Sequence, residues 1–161
     1  MSAIIKQALF LATAVLLLLS CKSQESLILQ DSMVGCGNFH AFVLTSGNDQ
    51  YLHIARLSVE LKSGENHFDL SKENLLVEYA RFDGNVSKIL CNDIRLDSSP
   101  KELERFNSIS GSCIVTLTEE NFKLYQQGKP YEMNFVLNDV KFENGIEVNY
   151  HGNVIVGWMP G

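Results

Sequence analysis

Alternation of apolar and polar residues is the feature that most constrains the fold of this 161-residue chain. Near the carboxyl terminus the apolar side chains fall on even positions from Ile146 to Trp158, which is the repeat of a strand that buries one face. From Asn38 onward, similar runs are separated by Gly, Asn, Asp and Ser, which are turn residues. Helical periodicity is scarce. The sequence therefore predicts an all-β fold.

The spacing of the turn residues predicts about eight strands. Turns recur roughly every 8 to 12 residues, which favours an antiparallel two-sheet β-sandwich, immunoglobulin-like or related. A small open barrel is the alternative. The predicted strands include Phe39–Thr45, Tyr51–Leu61, Asn66–Leu70, Asn74–Phe82 and Val86–Leu96.

One or two short helical turns are predicted between the strands. Ser99-Pro100-Lys101-Glu102 has the pattern of a capping box with proline at the first helical position, so residues 100–105 are predicted to be helical. Thr118 is predicted to cap a second short helix that continues through Gln127 and ends at Gly128.

The last hairpin requires an irregular register. The apolar positions are odd up to Leu137 and even from Val140, which predicts a β-bulge near residues 138–139. A three-residue loop at 143–145, with its glycine in a left-handed conformation, then sets Val140 opposite Val148. This register buries apolar side chains on the same face.

The amino-terminal segment resembles the lipobox of bacterial lipoprotein signal peptides. Lys6 precedes an apolar run over residues 8–19, and the run ends in Leu18-Leu19-Ser20-Cys21. The run is too short to span a bilayer comfortably. The resemblance implies that cleavage makes Cys21 the first mature residue and that lipid is attached to it. Acyl chains of that kind hold a protein on a membrane.

The lipobox sets the expected domain organisation and location. Residues 1–20 are predicted to be the signal peptide, 21–35 the lipidated cysteine with a flexible tether, and 36–161 a single β-sandwich domain. We expect the protein in a bacterial cell envelope, with the outer membrane favoured over the inner one. Surface and periplasmic orientations both stay open.

Three cysteines remain after the anchor, and export places them where disulfides persist. Alternation puts Cys91 on the polar face of its predicted strand and Cys113 on the core face of another, so these two point to opposite sides. This favours a bond between Cys36 and Cys91 and leaves Cys113 as a buried thiol. Pairing of Cys91 with Cys113 is the alternative.

Shorter segments carry weaker resemblances. Gly-Cys-Gly-Asn-Phe at 35–39, Cys-Asn-Asp at 91–93 and Val-Gly-Trp at 156–158 are similar to small exported lipoproteins of unknown function. That similarity implies no known activity. Asp31-Ser32-Met33 resembles an O-glycosylation acceptor of bacterial exported proteins, which makes Ser32 a candidate modification site.

The composition and motifs exclude several function classes. Nineteen acidic against 13 basic residues give a formal net charge of −6, which argues against nucleic acid as a partner. The chain has no nucleophile elbow, phosphate loop or zinc motif, so we assign no catalytic residue, no metal and no cofactor. The four histidines lack zinc-ligand spacing and are interpreted as sheet-surface side chains: His40, His53, His67 and His151.

These observations predict a non-enzymatic binding or structural accessory module, monomeric, anchored to a membrane and facing an unidentified envelope protein or glycan. Tyr125 and Tyr131 are expected to be exposed beside one loop and to offer it as a binding patch. The alternative is a small envelope enzyme or enzyme inhibitor with its site in loops 97–108 or 126–131.

Overall fold

The chain is mostly antiparallel β-structure, which confirms the predicted class. The computed structural model describes residues 27–37, 39–56, 60–72, 75–92 and 97–157. Within these ranges there are eight strands and one α-helix: β1 (Leu29–Cys36), β2 (His40–Thr45), β3 (Gln50–Arg56), β4 (Gly64–Asp69), β5 (Leu75–Phe82), β6 (Glu102–Leu117), α1 (Glu119–Gln126), β7 (Tyr131–Phe142) and β8 (Glu147–Val156).

The strands form one sheet that curls until it is nearly closed, like a barrel. Their order is β1-β2-β3-β5-β6-β7-β8, and β4 pairs with β6 beside this path. Where the ends of β8 and β1 meet, the amide of Gly157 donates a hydrogen bond to the carbonyl of Gly37 at 2.7 Å. The arrangement is not clearly the expected two-sheet sandwich and is closer to the barrel alternative.

Strand β6 explains why the two halves of the sheet stay joined. It is 16 residues long; its first part pairs with β5 and its second part pairs with β4 and β7. The register shifts between Ser108 and Ser112, and such bulges bend a strand and increase its twist. Turn spacing cannot distinguish one bent strand from two strands in separate sheets.

The barrel interior is filled by side chains. One contiguous core joins both halves of the sheet, and Phe122 and Tyr125 of helix α1 pack against it. Among the strand residues of the barrel, the largest side chains with almost no exposure are Phe135, Phe142, Leu52, Ile54, Leu117, Met133, Leu137, Val43, Val77, Val115 and Val140.

A second, smaller core lies on the outer face of β2, β3 and β5. It contains Leu44, Tyr51, Ala80, Phe82 and Val86. The segment after β5, residues 83–92, crosses this face, and its Ile89 and Leu90 add to the cluster. We call it the covering segment.

The strand predicted for Val86–Leu96 is wrong over the part that the structure describes. Residues 87–91 form turns, and residues 93–96 lie outside the described ranges. The side chain of Asn85 accepts from the amide and hydroxyl of Ser87 at 2.9 and 2.7 Å, which stabilises a turn. Val86, Ile89 and Leu90 reach the sheet at a spacing of three and four, the repeat of turns.

Of the two predicted helices, one is confirmed and one is wrong. Helix α1 begins after Thr118, whose side chain accepts from the amide of Asn121 at 3.2 Å. Residues 102–105, predicted to be helical, instead belong to β6. Lys101 exchanges hydrogen bonds with Asp83, which aligns the start of β6 with β5, and this long-range pairing outweighs the local capping pattern.

The last hairpin has the predicted irregular register. The β7–β8 pairing shifts between Leu137 and Val140, and Asp139 has a left-handed backbone with φ of 50°. Val140 lies opposite Val148, and Gly145 in the loop has φ of 86°, which favours glycine. The predicted bulge, loop and pairing are all confirmed.

The structure differs from the expected tether at its carboxyl end. Residues 29–35, placed in a flexible tether, form most of β1, which pairs with β2. The short polar residues of this segment do not indicate a strand, because the strand is stabilised by its pairing with β2 and not by its own sequence. The described part of the chain holds no helix of the length and apolarity needed to cross a membrane. Residues 1–26 and Trp158 lie outside the described ranges.

Candidate functional site

Four charged or titratable side chains meet on the outer face of the sheet, beside the small core. His40 lies on β2, His53 on β3, Glu78 on β5 and Arg105 on β6. They face outward because the alternate residues of the same strands fill the barrel. The register sets His53 directly opposite Glu78, so the charged residues of neighbouring strands come into contact. We call this group the outer-face network.

Glu78 is the centre of the network. Its Oε2 atom accepts from Nδ1 of His53 at 3.0 Å and from Nη1 of Arg105 at 2.7 Å. The side chain of Glu78 is 12% exposed, so this carboxylate is held by partners rather than by water. Arg105 also forms a two-point contact with Glu102, at 3.0 Å from Nε and 2.6 Å from Nη2.

The second histidine extends the network to solvent. Nδ1 of His40 lies 3.0 Å from Nε2 of His53. Because a carboxylate accepts, Nδ1 of His53 carries a proton and its Nε2 is the acceptor in the neutral ring. His40, which is exposed, then donates through its Nδ1. The order of hydrogen bonds runs from His40 through His53 to Glu78.

Aromatic rings hold His53 in position. The ring of Phe42 stacks on it with centroids 4.4 Å apart and planes within 5°. Tyr51 meets Phe42 edge-on at 5.3 Å, and its hydroxyl accepts from Nη2 of Arg105 at 3.3 Å. The ring of His53 is therefore fixed both by its hydrogen bonds and by packing.

These surroundings shift several protonation equilibria. The hydrogen bond from His53 lowers the pKa of Glu78, and the charge of Arg105 acts in the same direction against the effect of burial. Burial, together with repulsion from His53, lowers the pKa of His40. Burial raises the pKa of Tyr51. The contact with Glu102 raises the pKa of Arg105, which stays charged.

The network orients the imidazole of His53 between a carboxylate and a second imidazole. A histidine oriented by a carboxylate is one part of a catalytic triad. In the described residues, the other neighbour of His53 is a second imidazole. The arrangement is therefore suited to holding a proton, or a ligand that imidazole binds, at an exposed edge.

The disulfide prediction is confirmed. Cys36 and Cys91 are bonded, with Cα atoms 5.5 Å apart, and the bond ties the covering segment to the end of β1. Cys113 is free and buried inside the barrel. The strand assumed for Cys91 is not present, because this residue lies in a turn with φ of 64°, so the pairing was right for a reason that was partly wrong.

The remaining predicted site residues are dispersed. Ser32 is exposed on β1, and Cys21 lies outside the described residues. His67 and His151 are exposed on other strands.

The expected exposed pair of tyrosines is wrong, because Tyr131 is buried and Tyr125 packs against it with centroids 5.3 Å apart. Loop 126–131 therefore offers less aromatic surface than expected.

A shallow cleft opens where β5 and β6 diverge. Its wall includes Asn107 and Ser108, which belong to the predicted loop 97–108 although the structure places them in β6. Glu143 lies on the same wall and accepts from the amide of Asn107 at 3.3 Å. The floor is apolar, formed by Leu70 and Leu75.

Within the described ranges, no three or more His, Cys, Asp or Glu side chains gather in a way that could hold a metal ion. No family model, curated protein or solved structure matches this chain.

The sequence pattern indicates the two outward-facing histidines but not their partners. Alternation does place Glu78 outward, because Val77 and Tyr79 point inward. The register that sets Glu78 beside His53 depends on β3 pairing with β5 and not with β4, which comes next in the sequence. A single sequence contains no signal for that choice. Arg105 was missed because it lay in a predicted helical turn.

Proposed function

We propose that this protein is an envelope-anchored bacterial lipoprotein whose barrel-like domain is a non-enzymatic binding or accessory module. The Cys36–Cys91 disulfide carries the proposal, because such bonds persist outside the reducing cytosol. The lipobox-like segment ending at Cys21 adds the anchor. Anchoring raises the local concentration of the domain near any partner, so even weak binding is useful.

The filled interior supports a role through the outer surface. Side chains such as Phe135 and Leu52 occupy the volume that ligand-binding barrels keep open. Large apolar side chains are instead exposed on the outside, at Val34, Ile109 and Ile155. The partner proposed for this surface is an envelope protein or glycan.

Mass spectrometry of the membrane fraction tests the anchor. We expect cleavage before Cys21, a diacylglycerol mass on its sulfur and loss of membrane association in the Cys21→Ser variant. An intact amino terminus would rule out the lipoprotein assignment. Protease treatment of intact cells then separates the two orientations, because only a surface-exposed domain is digested.

Photo-crosslinking tests the binding role. A crosslinker at exposed Ile155 should capture a protein or glycan in cells, and the same crosslinker at buried Val154 should not. Capture that disappears in the Cys21→Ser variant would link binding to anchoring. The absence of any adduct at Ile155, Val34 and Ile109 would contradict a surface binding module.

A small envelope enzyme is the second candidate, and the cleft between β5 and β6 is the observation that favours it. The hydroxyl of Ser108 and the carboxylate of Glu143 share this cleft with an apolar floor. Its test is hydrolysis of envelope substrates by the purified protein. Activity that is lost in both Ser108→Ala and Glu143→Gln would favour the enzyme over the binding module.

A further inference from the structure

The geometry of the outer-face network points to an additional site. We propose that His40 and His53 together bind one divalent transition-metal ion, with water completing the coordination. The proposal does not depend on the membrane anchor or on the identity of a partner.

His53 is already oriented as a metal-binding histidine would be. Histidines that bind metals commonly donate their other ring N–H to a carboxylate, which fixes the ring and makes it more basic. Nδ1 of His53 has this contact with Glu78 at 3.0 Å. Arg105 holds Glu78 in place from the other side at 2.7 Å. Nε2 of His53 is therefore directed across the outer face of the sheet toward His40 on β2.

The distance between the facing nitrogens of His40 and His53 matches that of two ligands of one ion. Nδ1 of His40 lies 3.0 Å from Nε2 of His53. Two nitrogens bound to one ion at about 2.05 Å are about 2.9 Å apart at the right angle that Cu²⁺ prefers, and about 3.3 Å apart at the tetrahedral angle of Zn²⁺. The ion would lie beside the line that joins them, so both rings must turn toward it, and His40 turns more because Glu78 and Phe42 hold His53. The His40 ring is exposed, and it lies against His53 with centroids 5.2 Å apart and planes within 12°. Binding therefore replaces this contact and the hydrogen bond between the two rings by two bonds to the ion.

The donor set determines the class of ion. Imidazole nitrogens favour Cu²⁺, Ni²⁺ and Zn²⁺, with Cu²⁺ bound most tightly, whereas Ca²⁺ and Mg²⁺ require oxygen ligands. A site with two protein ligands leaves positions for water or for a donor from a partner. Cys113 does not compete for the ion, because its thiol is buried inside the barrel.

Calorimetric titration of the full-length protein in detergent with Cu²⁺ or Zn²⁺, added alone, tests the site. We expect one ion per chain and no heat with Ca²⁺ or Mg²⁺. His40→Ala should abolish the tight binding phase. Glu78→Gln should weaken the affinity by about 10- to 100-fold, as for other carboxylates that orient a ligating histidine.

Matched controls are the other two histidines of the chain, His67 and His151, both exposed on other strands. Substitution of either by Ala should leave the affinity unchanged. In electron paramagnetic resonance spectra recorded with excess Cu²⁺, the wild-type protein should show two coupled imidazole nitrogens. The weakly bound ion of His40→Ala, whose exposed position leaves folding intact, should show one. The absence of binding by the wild-type protein, or an equal loss in His67→Ala, would overturn the proposal.

Discussion

Nδ1 of His53 lies 3.0 Å from Oε2 of Glu78, and each of these side chains is 12% exposed. A contact between side chains this well shielded differs from a solvent-exposed ion pair, because its partners cannot be replaced freely by water. The same carboxylate also holds Arg105. Glu78 therefore links β3, β5 and β6 through side chains as well as through the sheet.

Replacing Glu78 by Gln should destabilise the protein by about 2 kcal/mol, because two hydrogen bonds lose their charged acceptor. Urea unfolding at pH 7 measures the change. Glu104→Gln is the matched control on the neighbouring strand, since Glu104 pairs with Arg81 at an exposed position and its loss should cost less than about 0.5 kcal/mol. Equal effects of the two substitutions would show that burial gives Glu78 no special role.

The stabilisation by Glu78 should disappear in acid. The pKa of this group is lower in the folded protein than in the unfolded chain, first because of the bond from His53. Such a group stabilises the fold above its unfolded pKa of about 4.3, and the contribution is lost as the pH falls through the folded pKa. The difference in unfolding free energy between wild type and Glu78→Gln should therefore shrink between pH 7 and pH values below about 4. A difference that is constant with pH would contradict this assignment.

The structural features that depend on contacts between residues close in sequence were predicted correctly. The bulge near Asp139, the cap at Thr118 and the left-handed Gly145 each depend on residues close in sequence, and all were predicted correctly. Residues 102–105 carried a helical pattern too, but pairing with β5 places them in a strand. The covering segment was mistaken for a strand because its apolar residues contact the outside of the sheet rather than the barrel interior.

The outer-face network could be predicted only in part. Alternation identifies which residues of a strand face outward, and it placed His40 and His53 on the sheet surface. The contact between His53 and Glu78 requires the order of strands, in which β4 is set aside to pair with β6. That order arises because the long strand β6 pairs with β5 along its first part and with β4 and β7 along its second part. Short-range sequence patterns do not indicate these pairings.

Loss of the disulfide should loosen the covering segment. The bond between Cys36 and Cys91 spans 55 residues, so its removal in a Cys36→Ser, Cys91→Ser variant should cost roughly 4 kcal/mol in the chain-entropy model. Trypsin should then cleave faster after exposed Lys88, which lies in the segment. Cleavage after exposed Lys129, in the loop after α1, is the internal control. An unchanged ratio of the two rates would mean that packing alone holds the segment.

Cys113 should be inert in the folded protein. Burial raises the pKa of its thiol to about 12, and its side chain has no exposed surface. Because the thiolate is the reactive form, a thiol reagent at pH 8 should not label the native Cys21→Ser variant, whereas unfolding should release one reactive group. Labelling of the native variant at the rate of a free thiol would show that the barrel opens around Cys113.

Closure of the barrel should depend on Gly35. A Cβ atom at this position would overlap the carbonyl oxygen of Ile155, where β1 crosses close to β8. Gly35→Ala should therefore force the two strands apart and cost about 1 to 3 kcal/mol, as overpacked sites do. Gly84→Ala is the matched control, because a Cβ atom there would lie 3.7 Å from Pro100, at ordinary contact distance. Thermal unfolding followed by circular dichroism compares the two variants. Equal stability of Gly35→Ala and Gly84→Ala would mean that β1 and β8 do not pack tightly. The contact between these two strands would then depend on bonds such as the 2.7 Å hydrogen bond between Gly157 and Gly37.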